Sequence, residues 1–298
     1  MKNILLAVDG SKLSKDAARF LSRVPHEQTI EITVLTVIET PVIAEDYPVQ
    51  RWINDAVQQE RAAATRLFAE IEAMFAAANV QLRHEIRDGR PGAQIVQAAK
   101  ELACELVVVG AVGKSVVDRI VLGSTSDYVA THASCSVLLF RPTGLLDSNR
   151  PIRVTVAYED TPTALAATEE FADFPWGRGA DVDVISIASN PFGLGHQSPH
   201  LAAIQAEMQS ALDRATARVA HVGANTRSHL LQEDHVGESI VRFAQQHQAD
   251  LLVIGEAHRT ALGRFLMGSV SRFVIRHARC SVWITRNRLP KHGVESVA

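Results

Sequence analysis

The sequence predicts an α/β fold in which two tandem units each form a doubly wound, parallel, five-stranded sheet. Three observations support this prediction: short apolar runs alternate with helical segments, the composition is that of a globular protein, and the second half repeats the first. The 298 residues are 47% hydrophobic and 21% charged, with a net charge of −3. A chain of this length suggests about two domains.

The first unit alternates strands and helices. Continuous apolar runs such as 30–38 are typical of strands buried on both faces of a sheet. Ser11 or Ser14 can cap the first helix, which runs to about Arg23, and Pro91 suits the first turn of a later helix. Strands separated by helices indicate right-handed parallel crossovers. The predicted strands are 4–8, 30–38, 83–87, 106–109 and 137–140, and the helices are 11–23, 49–78, 91–102 and 124–132.

The second unit follows from an internal repeat. Residues 105–141 align without a gap with residues 250–286 and are identical at about 14 of 37 positions. The offset of about 145 residues also carries Gly92 onto Gly237. Strands are therefore expected near 152–157, 182–188, 228–232, 251–254 and 282–285. We expect domains at 1–142 and 151–287, joined by a linker rich in turn residues.

Composition argues against several classes of protein. Without a basic excess, and with only 5% aromatic residues, nucleic-acid binding is disfavoured. No segment approaches the roughly 20 apolar residues of a membrane span. The three cysteines, Cys104, Cys135 and Cys280, fit neither a disulfide framework nor a zinc site, so we expect small core residues in a cytoplasmic protein.

The most informative segment follows the fourth strand. Gly110, Gly113 and Gly123-Ser124 have the pattern Gly-x2-Gly-x9-Gly-Ser. Ligands of open α/β sheets bind beyond the carboxyl ends of the strands, and the first amides of a helix favour an anion. Lys114 is a candidate counter-charge for a phosphate. The alternative is structural: the two loop glycines shape a turn, and Lys114 is a solvated charge.

Two familiar nucleotide motifs are absent. Gly113-Lys114-Ser115 resembles the end of a Walker A loop, but Val108 stands where that motif needs its first glycine. No GxGxxG sequence follows the first strand. The pattern therefore favours neither an ordinary P-loop NTPase nor a dehydrogenase.

These segments together resemble the universal stress protein family. The resemblance rests on AVDGS after the first strand, TVIE at the end of the second, the glycine pattern, and HASCSVLL before the fifth. It covers nearly the whole chain as two copies. It implies a Rossmann-like sandwich, similar to the adenine-nucleotide alpha-hydrolase fold, with ATP as ligand, with or without Mg²⁺.

The resemblance also implies roles for individual residues. Asp9 matches the acidic position near adenine and ribose, although it is equally a candidate helix cap. Val37 matches the position whose backbone meets adenine, and Gly110 and Gly113 match positions that line ribose and phosphates. The residues that match the start of the triphosphate-binding helix are Gly123, Ser124 and Thr125.

The second unit departs from this pattern. Its loop reads Gly255-Glu256-Ala257-His258, so a side chain replaces the second glycine, and we expect Glu256 to repel phosphate. Glu159 takes the place of Asp9. We therefore expect the amino-terminal unit to bind ATP and the carboxyl-terminal unit to bind it weakly or not at all.

Three functions remain open from the sequence. The resemblance implies a cytoplasmic stress-response protein with ATP as a regulatory or structural ligand, because no positioned base or metal-binding carboxylate pair is evident; slow hydrolysis is left open. The second possibility is an enzyme that hydrolyses ATP or transfers part of it. Adenylyl-transfer enzymes with related sheets carry a His-x-Gly-His signature near the first strand, where this chain has Val8-Asp9-Gly10-Ser11. An interaction module would use strands 137–140 and 282–285 for pairing between the units or in a homodimer. No particular protein partner is indicated.

Overall fold

The computed structural model describes residues 2–24, 29–39, 50–112, 122–174, 179–189, 199–256 and 267–286. In the amino-terminal unit the strands are β1 (Asn3–Ala7), β2 (Ile30–Ile38), β3 (Val80–Asp88), β4 (Leu106–Gly110) and β5 (Ser136–Phe140). The helices are α1 (Lys12–Arg23), α2 (Gln50–Met74), α3 (Pro91–Glu101) and α4 (Ser124–His132).

The carboxyl-terminal unit has the same order of elements. Its strands are β6 (Ile152–Ala157), β7 (Ala180–Ala188), β8 (Gly223–Gln232), β9 (Leu251–Gly255) and β10 (Ser281–Thr285). Its helices are α5 (Pro162–Ala172), α6 (Pro199–Val219), α7 (Val236–Gln246) and α8 (Ser269–His277). A short 3-10 helix, Leu145–Asp147, lies in the linker. None of the described helices is both long and apolar enough to cross a bilayer.

The ten strands form one sheet in the order β3-β2-β1-β4-β5-β10-β9-β6-β7-β8. Pairing is parallel within each unit, and β5 and β10 pair antiparallel, with Leu138 opposite Trp283. The fold class predicted from the sequence is confirmed, with the two five-stranded sheets continuous through their last strands. This symmetric order relates the units by an approximate twofold axis between β5 and β10.

Helices cover both faces of the sheet. Helices α1, α2, α5 and α6 pack on one face in a core that includes Leu21, Ile71, Phe171 and Leu212. Helices α3, α4, α7 and α8 pack on the other face. Trp283 of β10 is 2% exposed, and its ring lies edge-on to Phe174 at 5.4 Å between centroids. Each core cluster spans both units, so the two domains share their interior.

The outer strands begin earlier than predicted. We expected strands at 83–87 and near 228–232, whereas β3 begins at Val80 and β8 at Gly223. Both strands lie at the ends of the sheet, where one edge faces solvent and side chains are only partly buried. Polar residues interrupt the apolar run that identifies the central strands.

Candidate functional site

The first strand ends in a tight turn that positions Asp9. Gly10 adopts φ of 78°, a left-handed conformation that favours glycine. Asp9 accepts a hydrogen bond from the backbone amide of Ser11 at 3.0 Å. Ser11 is the helix cap, because its hydroxyl accepts from the amide of Ser14 at 3.2 Å. The carboxylate of Asp9 therefore orders the turn before α1, but Asp9 is not the helix cap that the structural alternative expected.

Asp9 and Gly110 lie on either side of the point where the strand order reverses. The order β2-β1-β4 places these two residues at the carboxyl ends of neighbouring strands. The chain leaves β1 toward α1 on one face of the sheet, whereas α4, which follows β4, covers the other face. Such a switch point opens the crevice in which doubly wound sheets bind ligands.

Val37 directs its backbone toward this crevice. The carbonyl of Leu35 accepts from the amide of Val8 on the β1 side, and the carbonyl of Ile38 accepts from Gly89 on the β3 side. Backbone groups alternate in direction along a strand, so the polar groups of Val37 face the β1 side beyond the end of that strand. This is the orientation that recognition of a base edge by backbone would need.

Gly110 has a structural role that sequence alone did not distinguish from ligand binding. A Cβ atom on Gly110 would lie 3.1 Å from Cγ of Leu13 in α1. On Gly255 it would lie 3.1 Å from Cβ of Ala167 and 3.2 Å from a backbone oxygen. Glycine at both strand ends therefore allows the first helix of each unit to approach the sheet closely.

The start of α4 is the part of the site that can bind an anion. The first helical bond runs from the amide of Asp127 to the carbonyl of Gly123, so the amides of the first turn have no acceptor inside the helix. Gly123 caps the helix with φ −68° and ψ 153° and no side-chain hydrogen bond. The open amides and the helix dipole favour negative charge here, beside the hydroxyls of Ser124 and Thr125.

Two hydrogen bonds fix this turn against the end of β4. The amide of Gly123 donates to the carbonyl of Ala111 at 2.8 Å. The hydroxyl of Ser126, which is 2% exposed, donates to the carbonyl of Gly110 at 2.7 Å. Ser126 was not identified from the sequence, although it repeats as Ser271 in the second unit. Gly113 and Lys114, the other predicted site residues, lie outside the described residues.

The corresponding position of the second unit is crowded with carboxylates. Asp160 stands where the first unit has Gly10, next to Glu159, and it accepts a hydrogen bond from the hydroxyl of Tyr158 at 3.1 Å. Burial, followed by this hydrogen bond to Asp160, raises the pKa of Tyr158. At the start of α8, Val270 stands where α4 has Thr125, so this position has no hydroxyl. The amino terminus of α8 has the same glycine cap without a side-chain hydrogen bond, and Arg272 stands there where α4 has Asp127.

The expected role of Glu256 is wrong. Its carboxylate does not face the loop as a repulsive charge, because it is 2% exposed and forms an ion pair with Arg286. The sequence could not show this partner, which lies 30 residues away across neighbouring strands. His258, the other basis of the predicted asymmetry, lies outside the described residues.

The cysteines and His132 have structural surroundings. All three cysteines are buried and unpaired. Burial raises the pKa of Cys104 to about 12, of Cys135 to about 11 and of Cys280 to about 12. Nδ1 of His132 donates to the carbonyl of Tyr128 at 2.8 Å within the last turn of α4. Among the described residues, no group of three or more potential metal ligands converges.

The fold defines a tandem protein of two Rossmann-like units, each with a glycine-capped helix start after its fourth strand. The sequence profile of the universal stress protein family matches residues 1–141 and again residues 152–286. The chain therefore belongs to the universal stress protein family.

Some relatives match nearly the whole chain, and others match about half of it. A universal stress protein of Mycobacterium bovis is 25% identical over 290 residues, which span 95% of this chain and 96% of that protein. One of Methanocaldococcus jannaschii is 27% identical over 142 residues, 47% of this chain and 82% of that protein. The crystal structure of a universal stress protein from Archaeoglobus fulgidus superimposes with a TM-score of 0.64 at 20% identity. The superposition covers 95% of this chain and 98% of the Archaeoglobus fulgidus chain.

Proposed function

We propose that this protein binds ATP in its amino-terminal unit and uses the nucleotide as a regulatory or structural ligand in a cytoplasmic stress response. The observation that carries the proposal is the open first turn of α4, held against the end of β4 by Gly123 and Ser126. It offers unpaired amides to a polyphosphate at the switch point of the sheet. Asp9 and Val37 lie at the ends of the adjacent strands, where ribose and adenine would bind.

The second unit is expected to bind ATP weakly. Glu159 and Asp160 place two carboxylates at the end of β6, where the first unit has one, and like charges would oppose a triphosphate. Val270 offers no hydroxyl to the phosphates. We therefore expect one ATP per chain, and any Mg²⁺ would be held chiefly by the phosphates.

A matched pair of substitutions tests this assignment. Gly123→Asp places a good helix cap at the start of α4, where the φ of −68° suits any residue, but it also adds a negative charge at the phosphate position. The equivalent change in the second unit is Gly268→Asp, where an added Cβ meets no atom within 4 Å. Both variants should fold at least as stably as the natural protein.

Calorimetric titration of ATP, with Mg²⁺ and with EDTA, is the measurement. One site per chain, lost in Gly123→Asp and retained in Gly268→Asp, is the expected result. Two equal sites would overturn the asymmetry, and absence of binding would overturn the function. Phosphate and pyrophosphate release in the same samples distinguishes a binding protein from an enzyme, for which rapid turnover is required.

The interaction alternative expected strands 137–140 and 282–285 to pair between the units or in a homodimer. They pair with each other across the two units, so these edges are not available to a second chain. Light scattering with and without ATP would show whether chains associate further through other surfaces.

A further inference from the structure

Arg286 crosses from the second unit to the far end of α4. It follows β10, its side chain is 0% exposed, and its Nη1 donates to the carbonyl of Ala133 at 2.8 Å. Nη2 donates to the carbonyl of Ala130, and Nη1 also approaches the carbonyl of Cys135 at 3.5 Å. These carbonyls belong to the last turn of α4 and the residues that follow it. A cation at this position satisfies acceptors that a helix end leaves unpaired and complements the helix dipole.

Glu256 holds the guanidinium of Arg286 in place. Nε of Arg286 donates to Oε2 of Glu256 at 3.1 Å, and Nη2 donates to the same oxygen. The backbone amide of Arg286 also donates to the hydroxyl of Ser136 at 2.7 Å. Both charged side chains are buried, and a buried pair with this many hydrogen bonds has little freedom to move.

The repeat provides an internal comparison. Arg141 is the equivalent of Arg286, and its Nη2 donates to the carbonyl of Ile275 in α8 at 2.6 Å. Ala111 stands where the second unit has Glu256, and Nη1 of Arg141 is buried without a hydrogen-bond partner. Burial lowers the pKa of Arg141. The end of α8 is therefore held far less completely than the end of α4.

Helix α4 has more hydrogen bonds from its arginine than α8 has, and the other end of α4 forms the proposed phosphate site. Helix α4 has nine residues, so its two ends are only about two and a half turns apart. We propose that Arg286, oriented by Glu256, is a positioning residue for the nucleotide site of the amino-terminal unit. The second unit thus supports the site of the first by fixing the helix that binds phosphate. This inference rests on the proposed function.

Positioning matters here because several amides must meet the phosphate oxygens at once. Donor groups are effective only when they are held within about 0.5 Å of the required position. Without Arg286, the carboxyl-terminal end of α4 would lose its cation and the hydrogen bonds that join it to the end of β10. The first turn could then shift relative to Gly110 and weaken binding without the loss of any group that touches ATP.

Arg286→Met and Arg141→Met form the matched test. Each removes a buried arginine from the same position of the repeat, and ATP affinity is compared at a temperature where circular dichroism shows each variant folded. The proposal expects at least a tenfold loss of ATP affinity in Arg286→Met and less than a twofold change in Arg141→Met. Hydrogen exchange without nucleotide should also increase at residues 124–127 in Arg286→Met, but not in Arg141→Met.

A double variant keeps the test decisive if Arg286→Met does not fold. Glu256→Leu combined with Arg286→Met removes both charges, which a folded protein tolerates better than an unpaired buried charge. It should lose ATP affinity as the single variant does. The role of Arg286 would be overturned if the folded double variant bound ATP as tightly as the natural protein. It would also be overturned if the two single variants lost ATP affinity equally. Absence of ATP binding by the natural protein would instead overturn the proposed function.

Discussion

Arg150 and Asp250 form a two-point ion pair that fastens the linker to the second unit. Nη1 of Arg150 donates to Oδ2 of Asp250 at 2.6 Å, and Nη2 donates to Oδ1 at 2.8 Å. The same carboxylate, which is 1% exposed, accepts from the amide of Arg153 at 2.9 Å and from the hydroxyl of Thr143. One buried side chain therefore binds both ends of the linker.

Removal of Arg150 should destabilise the protein substantially. Arg150→Met leaves the buried charge of Asp250 without its cation. We expect the free energy of unfolding to fall by about 3 kcal/mol, the lower end for a buried pair, because Arg150 is partly exposed. Urea denaturation followed by circular dichroism measures this loss. Arg218→Met, which removes an exposed pair with Glu169, is the control and should cost less than about 1 kcal/mol. Similar losses in both variants would show that Asp250 does not depend on this pair.

Alkaline pH should destabilise the fold through its buried thiols. Their pKa values of about 11 to 12 in the folded state exceed the ordinary value of about 8.5. Above about pH 9 the unfolded chain therefore loses protons that the folded protein retains, and stability falls as the pH rises toward 11. The slope is at most about 1.4 kcal/mol per pH unit for each thiol.

The measurement is the free energy of unfolding at pH 7.5, 9 and 10, in the natural protein and in a variant with all three cysteines replaced by alanine. The difference between the two proteins isolates the thiols from other alkaline groups. A pH-independent difference would contradict the prediction. At pH 8 an alkylating reagent should modify the native thiols far more slowly than the denatured ones.

His84 should make the amino-terminal unit sensitive to acid. Its ring stacks on Phe68 at 4.6 Å between centroids, and its buried Nε2 has no hydrogen-bond partner. Burial lowers the pKa of His84. The unfolded chain therefore binds a proton below about pH 6.5 that the folded state resists, and stability falls as the pH falls. Titration of the ring by NMR should give a pKa below 6.5, and His84→Leu should remove this part of the pH dependence.

Ser126 should contribute to both stability and nucleotide binding. Ser126→Ala removes the hydrogen bond to the carbonyl of Gly110, and we expect a loss of about 1 kcal/mol in stability. Because this bond fixes the first turn of α4, ATP affinity should also fall severalfold. Ser271→Ala changes the equivalent residue of the second unit and should leave ATP affinity unchanged. Calorimetry on the two variants checks the difference, and equal affinities would remove Ser126 from the site.

The central strands and the repeat were predictable because each is visible in a continuous stretch of sequence. The apolar run of β2, Ile30–Ile38, matches the predicted bounds, because a strand buried on both faces admits few polar residues. The helix α4 begins at Ser124 and ends at His132 as predicted. The repeat also identified the last strands as those that could pair between the units.

The contacts between units were not predictable in the same way. Arg286 and Ala130 lie 156 residues apart, and no sequence pattern around either residue indicates that the two are in contact. The repeat placed Glu256 in the loop opposite a phosphate, because sequence spacing gives no side-chain direction at the end of a strand. The role of Gly110 was similarly hidden, since the side chain that excludes its Cβ belongs to another helix.

The pairing of β5 with β10 has a consequence for how the chain is made. Ser136–Phe140 is buried along its whole length, and its neighbour on one side, β10, is synthesised only after the other strands of the second unit. Until β10 is made, the first half must carry β5 with one edge unpaired. A shortened transcript that ends near the linker would release such a half permanently, and its natural substitute partner is the same strand of another molecule.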